Sequence, residues 1–571
     1  MKRSCKWRAQ TLFIFVLTIG GIIIARLFLL QIIGYNHYND LAENQHQFSQ
    51  KLFPQRGEIF IQDLKSKEYL PLAVNKEFQQ VYAIPKLIPE EKREEIAEQL
   101  SSILEMDKEV ILNRINKPDD PYEPLKHKLD KEKTEQIENL KIEGVKSAKE
   151  SWRYYPAGSL ASHLVGFVGL KDEQKIGQYG LEGYYENELK GQSGFLKGGK
   201  DTFGYWVPTA AQEIQPAQDG AKLILTIDRN IQFKAEKELE EVMKKWSADT
   251  GTIIVMEPKS GALRAMVNLP NFNPNEYSDI EDIDIFLNPS IQKIYEPGSV
   301  FKPITMAIGL NEHQITPETA YEDLGYVQIK NSVIRNANNR SYGRSTMTNV
   351  LENSINTGAV FVQQKINHEI FRRYVKDFGF DRPTGIDLTG EIGGDISNLS
   401  KNRDINFATA SFGQGVAITP IELITALAAV ANQGKAMRPF VVEKIIKPNN
   451  EEIIIEPQIV KEAISKETTE QLTRMMISTI ENSYDRKAQV KGYDVAGKTG
   501  TAQVPDPDSG GYSDKTIHTF VGFAPAFDPK FIVLIKIDNP KGINFASDSI
   551  TPVFRRLAEY MFNYFEIPPS E

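Results

Sequence analysis

Three short groups of residues could carry out nucleophilic chemistry. They are Ser299 with Lys302, Ser354 with Asn356, and the tripeptide Lys498-Thr499-Gly500. A serine hydroxyl is a poor nucleophile until a base removes its proton, and a neutral lysine amine can act as that base. Burial and a second nearby cation such as Lys498 would both favour the neutral form of Lys302. The groups therefore predict a site in which a serine attacks the substrate.

Each pattern is short, and the chain contains a second copy of all three: Ser290 with Lys293, Ser400 with Asn402, and Lys259-Ser260-Gly261. The local context separates the copies. Ser299 follows Pro297-Gly298, which suits the start of a helix, where residues i and i+3 share a face. Such a start also favours developing negative charge. A helix from Ser290 would be broken at Pro297-Gly298, so Ser299 is the predicted nucleophile.

The composition excludes several other classes of function. The chain has 571 residues, and its formal net charge is 67 − 76 = −9, so no global basic field favours nucleic acid. Cys5 is the single cysteine, which excludes an internal disulfide framework and a cysteine-based zinc site. The seven histidines do not cluster and no HExxH motif occurs, so we predict no metal and no other cofactor. Sites built from carboxylates alone stay open.

A membrane anchor is predicted at the N-terminus. Residues 11–33, TLFIFVLTIGGIIIARLFLLQII, are almost wholly apolar, and at 1.5 Å per residue they span roughly 34 Å. Residues 1–10 carry four basic side chains and should stay cytoplasmic, which places residues after 34 outside the cytoplasm. A cleaved signal peptide is the rival, but no small-x-small cleavage pattern follows.

The elements that must position the reactive groups are predicted from periodicity. Residues 36–55 are predicted to continue the anchor as an amphipathic helix, and residues 87–150 contain exposed amphipathic helices. From about residue 217 strands and helices mix, with two strands joined by a turn at Phe527–Pro529. Asp228 is predicted to cap the helix that follows it. The fold class is therefore α+β, with an antiparallel sheet covered by helices.

The longer context resembles the class B penicillin-binding proteins. The segments that carry the resemblance are EPGSVFKP (296–303), ENSINTG (352–358), FGQGVAITPIEL (412–423), VAGKTGTAQ (495–503) and HTFVGFAP (518–525). RGEIFIQD (56–63), RYYPAGSLASHLVGFVG (153–169) and LEGYYENELKG (181–191) resemble that family's pedestal, or dimerisation, domain. The resemblance implies a tail over 1–10, a transmembrane helix over 11–33, a pedestal over 34–217 and a transpeptidase domain over 218–571.

The family implies a peptidoglycan D,D-transpeptidase that cross-links stem peptides through a serine acyl-enzyme and is acylated by β-lactams. Ser299 and Lys302 would be catalytic, and Ser354 would relay the proton to the leaving amine. Asn356, Lys498, Thr499, Gly500 and Thr501 would bind substrate, and the amides of Ser299 and Thr501 would form the oxyanion hole. His518, which follows on the next strand, could line the cleft, but we expect it to be a surface histidine.

The segments also resemble the division branch, FtsI/SpoVD-like, more than the elongation branch, which indicates septal synthesis. Ile61 departs from the family pattern, because the acidic residue usual there is delayed to Asp63. The family further implies a SEDS-type glycan polymerase and other divisome membrane proteins as partners, with the catalytic domain outside the bacterial cell (inner) membrane.

Two other functions stay open. The same serine and lysine could serve a D,D-carboxypeptidase or β-lactamase that uses water as the acceptor. The chain could also be a division scaffold or β-lactam sensor whose catalysis is vestigial.

Overall fold

The computed structural model of the chain describes residues 2–33, 47–117, 120, 122–171, 174–199, 213–482, 486–506 and 511–570. The chain forms two compact units. One consists of residues 1–55 and 191–219, and the other consists of residues 56–190 and 220–571.

The strands of the described residues are β1 (Gln47–Leu52), β2 (Ile59–Asp63), β3 (Glu68–Ala83), β4 (Glu123–Leu129), β5 (Val145–Tyr154), β6 (Phe167–Lys171), β7 (Gln174–Gln178), β8 (Gly194–Gly199), β9 (Glu213–Gln215), β10 (Lys222–Asp228), β11 (Thr250–Met256), β12 (Leu263–Leu269), β13 (Ala320–Asp323), β14 (Tyr326–Ile329), β15 (Ser332–Arg335), β16 (Gly343–Thr346), β17 (Lys435–Met437), β18 (Val442–Ile446), β19 (Glu452–Ile454), β20 (Ile459–Glu462), β21 (Ala496–Pro505), β22 (Tyr512–Ala524) and β23 (Phe531–Asp538).

The α-helices are α1 (Lys2–Phe28), α2 (Arg93–Leu104), α3 (Lys108–Ile115), α4 (Lys131–Asn139), α5 (Ser162–Val165), α6 (Gly180–Tyr184), α7 (Glu186–Leu189), α8 (Arg229–Trp246), α9 (Pro289–Gln292), α10 (Lys302–Asn311), α11 (Met347–Glu352), α12 (Asn356–Gln364), α13 (His368–Asp377), α14 (Asp404–Ala410), α15 (Pro420–Ala431), α16 (Lys466–Glu481), α17 (Ala546–Ser549) and α18 (Thr551–Tyr564).

The smaller unit contains the apolar helix and a short sheet. Residues Thr11–Ile32 of the helix are long and apolar enough to cross a membrane. Strands β1, β8 and β9 form a three-stranded antiparallel sheet. The predicted helix over 36–55 is wrong where it can be compared, because residues 47–52 form strand β1. Residues 36–46 lie outside the described residues.

A five-stranded antiparallel sheet forms the centre of the larger unit, in the order β12-β11-β23-β22-β21. Helices cover both of its faces, so its middle strands are buried on both sides. Ile253 and Val255 of β11 belong to one apolar core, which includes side chains of α8 and α18. Ile254 and Met256 belong to the other, with α10 and α15. This alternation has the period of two that a strand imposes, and it confirms the predicted sheet.

A second, seven-stranded sheet joins early and late parts of the sequence. Its order is β19-β18-β10-β2-β3-β4, and β5 also pairs with β3. Strand β10 pairs in parallel with β2 and antiparallel with β18. Strands from both sides of residue 217 therefore share one sheet, and the boundary at 217/218 stays a prediction.

Several local predictions can be compared with this fold. The predicted exposed helices include α2 and α4, whose apolar residues face a small core and whose charged residues face outward. Asp228 caps α8 by accepting hydrogen bonds from the amides of Asn230 and Ile231, as predicted. The two late strands are β22 and β23, and their turn includes Phe527–Pro529.

A buried ion-pair cluster holds the chain segment that enters the second sheet. The Glu182 carboxylate is fully buried and accepts from Nε of Arg56 at 2.7 Å and from Nε of Arg153 at 2.5 Å. Arg56 also pairs with Glu186 at 2.7 Å. Burial alone would raise the pKa of Glu182, but the two guanidinium groups outweigh burial and lower it. The carboxylate is thus ionised. It binds Arg153, which lies 29 positions earlier in the sequence, and Arg56, which lies 126 positions earlier.

Removing this charge should destabilise the larger unit. Glu182→Gln leaves the buried Arg153 guanidinium without a carboxylate, so the free energy of unfolding should fall by about 3 kcal/mol in urea titrations. Because the pKa of Glu182 is lowered on folding, the stabilisation is present above the pKa of the unfolded carboxyl and is lost as pH falls through the folded value.

The matched control is Glu188→Gln, which neutralises an exposed glutamate six residues away. It should change stability by no more than about 0.5 kcal/mol. Equal losses for the two variants would contradict a special role for the Glu182 cluster.

Candidate active site

Ser299 lies in a single 3₁₀ turn, Gly298–Phe301, that runs directly into helix α10. Pro303 occupies the first turn of α10, where its missing N–H leaves no bond unmade. Val300 and Phe301 are fully buried and anchor the turn, whereas Ser299 stays partly exposed. The sequence Pro297-Gly298-Ser299 thus holds one hydroxyl at the start of a buried helix.

The Lys302 amine links the predicted catalytic residues. Nζ of Lys302 lies 3.0 Å from Oγ of Ser299, 3.2 Å from Oγ of Ser354 and 2.8 Å from Oδ1 of Asn356. It also donates to the backbone carbonyl of Ser354 at 2.5 Å. The side chain is fully buried, and within the described part of the chain it makes no ion pair.

The electrostatics favour a neutral amine at this position. Burial, with the positive charge of Lys498 as a second cause, lowers the pKa of Lys302 well below its ordinary value. Burial also lowers the pKa of Lys498 to about 7. Nζ of Lys498 lies 3.1 Å from Oγ of Ser354, so one hydroxyl lies between the two amines.

Ser354 owes its position to an unusual backbone. It lies between α11 and α12 with a φ of +53°, in the left-handed region that residues other than glycine seldom adopt. Such a conformation costs on the order of 1 kcal/mol and persists only where surrounding contacts impose it. Here the turn brings both the carbonyl and the hydroxyl of Ser354 to Lys302.

Strand β21 carries the third group along the edge of the central sheet. Lys498, Gly500 and Ala502 are buried, and Thr499 and Thr501 between them are partly exposed. Thr501 lies beside the serine turn, because a Cβ at Gly298 would be 3.4 Å from the Thr501 carbonyl oxygen. An edge strand leaves alternate amides unpaired with a neighbouring strand. The oxyanion-hole role of Ser299 and Thr501 stays a prediction.

Gly500 is required by packing against the nucleophile turn. A Cβ there would lie 2.5 Å from Cγ2 of Val300 and 2.9 Å from the carbonyl oxygen of Pro297. The missing side chain therefore lets β21 approach the Ser299 turn closely. The substrate-binding role that the family resemblance implies for Gly500 stays a prediction.

A polar network that sequence reasoning missed supports Asn356. The Asp323 carboxylate is buried and accepts from Oγ1 of Thr357 at 2.6 Å and from Nδ2 of Asn336 at 2.9 Å. Nδ2 of Asn356 donates to the Arg335 carbonyl at 3.0 Å. The strands β13–β16 thus fix the start of α12. These bonds join residues that are 13, 21 and 34 positions apart, so no local motif could have identified them.

The other candidate residues lie elsewhere. Ser290 is buried, and its hydroxyl bonds to Asn268 at 2.9 Å, outside the Lys302 cluster. Lys259-Ser260-Gly261 lies in the turn between β11 and β12, as the sequence indicated. The prediction that His518 is a surface residue is wrong. It is fully buried on β22, where it pairs with Thr501 of β21, and it bonds to Ser549 at 2.8 Å. Burial lowers its pKa to about 4.

The described residues contain no group of three or more histidine, cysteine, aspartate or glutamate side chains that could hold a metal ion. The contacts of the Lys302 cluster involve the hydroxyls of Ser299 and Ser354, the amines of Lys302 and Lys498, and the side-chain amide of Asn356. A serine next to a neutral lysine can form a covalent ester with an acyl group.

Two family models match the sequence. The penicillin binding protein transpeptidase domain matches residues 251–559, and the penicillin-binding protein dimerisation domain matches residues 51–225. Stage V sporulation protein D of Bacillus subtilis is 33% identical over 95% of this chain and 83% of its own length. Peptidoglycan D,D-transpeptidase FtsI of Buchnera aphidicola is 29% identical over 99% of this chain and 96% of its own length.

Solved structures share the fold. A peptidoglycan synthetase from Bifidobacterium adolescentis has a TM-score of 0.72 and 22% identity, covering 92% of this chain and 98% of its own. Penicillin binding protein 2X from Streptococcus thermophilus has a TM-score of 0.72 and 22% identity, covering 91% of this chain and 81% of its own. Both family models match, with the dimerisation domain before the transpeptidase domain. This chain therefore belongs to the class B penicillin-binding proteins, the family that its sequence resembles.

Proposed function

We propose that this protein is a serine peptidoglycan D,D-transpeptidase acting in septal wall synthesis. The observation that carries the proposal is the buried Lys302 amine, which lies 3.0 Å from the partly exposed hydroxyl of Ser299 and whose pKa burial lowers. FtsI-type and Stage V sporulation relatives, whose similarity extends over most of the chain, support the reaction and the septal role.

In the first half-reaction, Oγ of Ser299 attacks the carbonyl of the D-Ala-D-Ala bond while Nζ of Lys302 accepts its proton. The amides of Ser299 and Thr501 would hold the developing oxyanion, each contributing about 3 kcal/mol. The ester bond forms as the amide C–N bond breaks. The proton passes through the Ser354 hydroxyl, which contacts both lysine amines, to the departing D-alanine.

In the second half-reaction, an amine of a neighbouring stem peptide takes the place of D-alanine. It loses a proton by the reverse route, attacks the ester and releases Ser299, which leaves a peptide cross-link. Protonated Lys498, with Thr499 and Thr501, would hold the terminal carboxylate of the donor. Asn356 has one amide hydrogen beyond its bond to Arg335 and could hold the donor backbone. A β-lactam would acylate Ser299 in the same way and remain bound to it as an ester.

The apolar helix supports membrane anchoring, and the basic residues before it favour a cytoplasmic N-terminus. The unit carrying Ser299 would then face the extracytoplasmic side, where peptidoglycan lies. A SEDS-type glycan polymerase and other divisome proteins stay proposed partners. If the purified anchored protein retained no polymerase, and replacement of residues 11–60 left activity unchanged, that pairing would be excluded.

Covalent labelling tests the nucleophile. Ser299→Ala should abolish labelling by a fluorescent penicillin, because no hydroxyl remains beside Lys302. The matched control Ser290→Ala removes the second serine of the same pattern and should label like the wild type.

The fate of the adduct separates the alternatives. A persistent wild-type adduct is expected for a transpeptidase, whereas continuous turnover of penicillin would indicate a hydrolase. A folded wild type that never labels would instead support the scaffold or sensor.

The pH dependence of acylation tests the two lysines. The second-order rate of acylation should be high near neutral pH, since the lowered pKa of Lys302 favours its unprotonated amine. It should fall as pH rises through about 7, because Lys498 then loses the charge that holds the carboxylate. Lys302→Ala should slow acylation about a hundredfold or more at every pH. A wild-type rate that climbs steadily toward pH 10 would mean that Lys302 titrates as an ordinary lysine.

Cys5 allows the membrane orientation to be measured, since it is the single cysteine of the chain. In intact spheroplasts a membrane-impermeant maleimide should not label the wild type, and permeabilisation should make it reactive. A Cys5→Ser chain with Ser513→Cys, on the catalytic unit, should label without permeabilisation. The reverse pattern would overturn the proposed orientation.

A further inference from the structure

A buried histidine lies one strand away from the reactive groups and takes no part in the chemistry just described. The ring of His518 is fully buried on β22, directly opposite Thr501 of β21. We infer that His518 is a positioning residue: through Ser549 it holds helix α17 in place, and α17 in turn orients the Thr501 hydroxyl toward the donor carboxylate. This inference rests on the proposed function, because that function places the carboxylate at Thr501.

The His518 ring lies on the face of the central sheet that points away from helix α10. Of the residues that follow it on β22, Phe520 belongs to the apolar core with α8 and α18, and Val521 belongs to the core with α10. Successive residues of a strand point to opposite faces, so His518 shares the face of Phe520. Lys302 is on α10, on the other side of the sheet. His518 is therefore not placed to act as the base for Ser299.

Hydrogen bonds connect the His518 ring to the Thr501 hydroxyl. Nδ1 of His518 lies 2.8 Å from Oγ of Ser549, the last residue of α17. Oγ of Ser549 donates over a longer 3.5 Å to the carbonyl of Ala546, the first residue of that helix. The amide of Ala546 donates to Oγ1 of Thr501 at 3.1 Å. Since Thr501 and His518 are also paired across the two strands, these contacts form a closed ring.

The directions of these hydrogen bonds assign the proton of the imidazole. Oγ of Ser549 uses its one hydrogen on the Ala546 carbonyl, so it accepts from His518, and the neutral ring carries its proton on Nδ1. Nε2 then accepts from the Thr516 hydroxyl at 3.3 Å. Burial lowers the pKa of His518 to about 4, which keeps the ring neutral at pH 7. Each ring nitrogen thus has a partner.

The same directions leave the Thr501 hydroxyl as a hydrogen-bond donor. A threonine hydroxyl has one hydrogen and two lone pairs. Because Oγ1 of Thr501 accepts from Ala546, its position is fixed to one of the staggered rotamers, and its own hydrogen remains for another acceptor. Thr501 is partly exposed, and a carboxylate only accepts hydrogen bonds. The hydroxyl is therefore oriented for the donor carboxylate before the substrate binds.

Helix α17 depends on contacts of this kind because it is a single turn. An isolated turn of helix has little stability of its own. Ala546 and Ile550 pack into the apolar core behind the sheet, and Asp548 pairs with Lys487 at 2.5 Å. Of these contacts, the bond to His518 is the one that ties the end of α17 to the strand beside Thr501. Its loss should shift the Ala546 amide from Thr501 while the core contacts keep the helix folded.

The test compares acylation by benzylpenicillin, which carries a carboxylate, with acylation by its methyl ester, which carries none. In Ser549→Ala, the second-order rate with benzylpenicillin should fall about tenfold, because a hydrogen bond to a charged group is weakened. The rate with the methyl ester should stay at the wild-type value. An unchanged rate with benzylpenicillin, or an equal loss with both compounds, would overturn the inference.

Substitutions at His518 test the hydrogen bond against packing. The side-chain amide of asparagine places a donor where Nδ1 lies, so His518→Asn should keep most of the wild-type rate with benzylpenicillin. His518→Leu fills a similar volume without a donor and should repeat the loss of Ser549→Ala. If the two His518 variants lost the same activity, the ring would act through packing alone, and the inference would fail. Should His518→Leu not fold, Ser549→Ala alone decides the test.

A double-mutant cycle tests whether the effect passes through Thr501. Thr501→Val removes the hydroxyl but keeps the branched side chain and the backbone amide. Adding Ser549→Ala to Thr501→Val should cause no further loss, because the hydroxyl that α17 orients is already gone. Losses that multiply would contradict a path through Thr501. The matched control is Ser290→Ala, which removes another fully buried serine hydroxyl and should change neither rate.

Acylation of the wild type keeps the two proposals apart. If the wild type forms no adduct with benzylpenicillin, the proposed function fails, and the role of His518 fails with it. If the wild type is acylated but the variants do not discriminate between benzylpenicillin and its methyl ester, the proposed function stands and only the positioning role is excluded.

Discussion

A buried lysine amine that has no carboxylate partner among the described residues is the constraint on which the rest of the site depends. Placing Nζ of Lys302 in a dry interior costs several kcal/mol if the amine is charged, so the fold favours its neutral form. Its contacts are a carbonyl, an amide oxygen and two hydroxyls, which solvate the amine without fixing a charge on it. A carboxylate at hydrogen-bond distance would stabilise the ammonium form and remove the base. The burial that lowers the pKa of Lys302 therefore also favours the neutral amine, which can accept a proton.

Meeting this constraint requires three distant segments to converge. Helix α10 carries Lys302, the turn between α11 and α12 carries Ser354, and β21 carries Lys498. The convergence depends on close backbone approach, which Gly500 permits against the Ser299 turn. It also depends on strain at Ser354, whose left-handed backbone is held by the helices on either side of it. Rigid elements covered on both faces can sustain such strain, whereas a solvent-exposed loop would relax.

The sequence was sufficient for features that arise from local patterns. Alternating apolar residues predicted β22 and β23, and Pro297-Gly298 separated Ser299 from Ser290. Prediction from the sequence failed where tertiary contacts determine the local structure or the burial of a side chain. Strand β1 replaced a predicted helix because residues 47–52 pair with β8, about 145 positions later. His518 is buried because Ser549 lies over it, and the Asp323 network joins residues that no spacing rule connects. Long-range pairing of this kind leaves no periodic trace in one segment.

The two ends of β21, which lies at the edge of the sheet, differ in how deeply they are buried. Toward Lys498 the strand is buried and packs on the Ser299 turn, so its geometry is fixed. Beyond Thr501 the strand becomes exposed at Gln503, which pairs with Thr516 of β22. Thr516 lines a groove together with residues 539–545, a loop that follows β23. Loops tolerate substitution better than a packed sheet does. The residues beside this end of the strand can therefore vary while the residues around Lys302 stay unaltered.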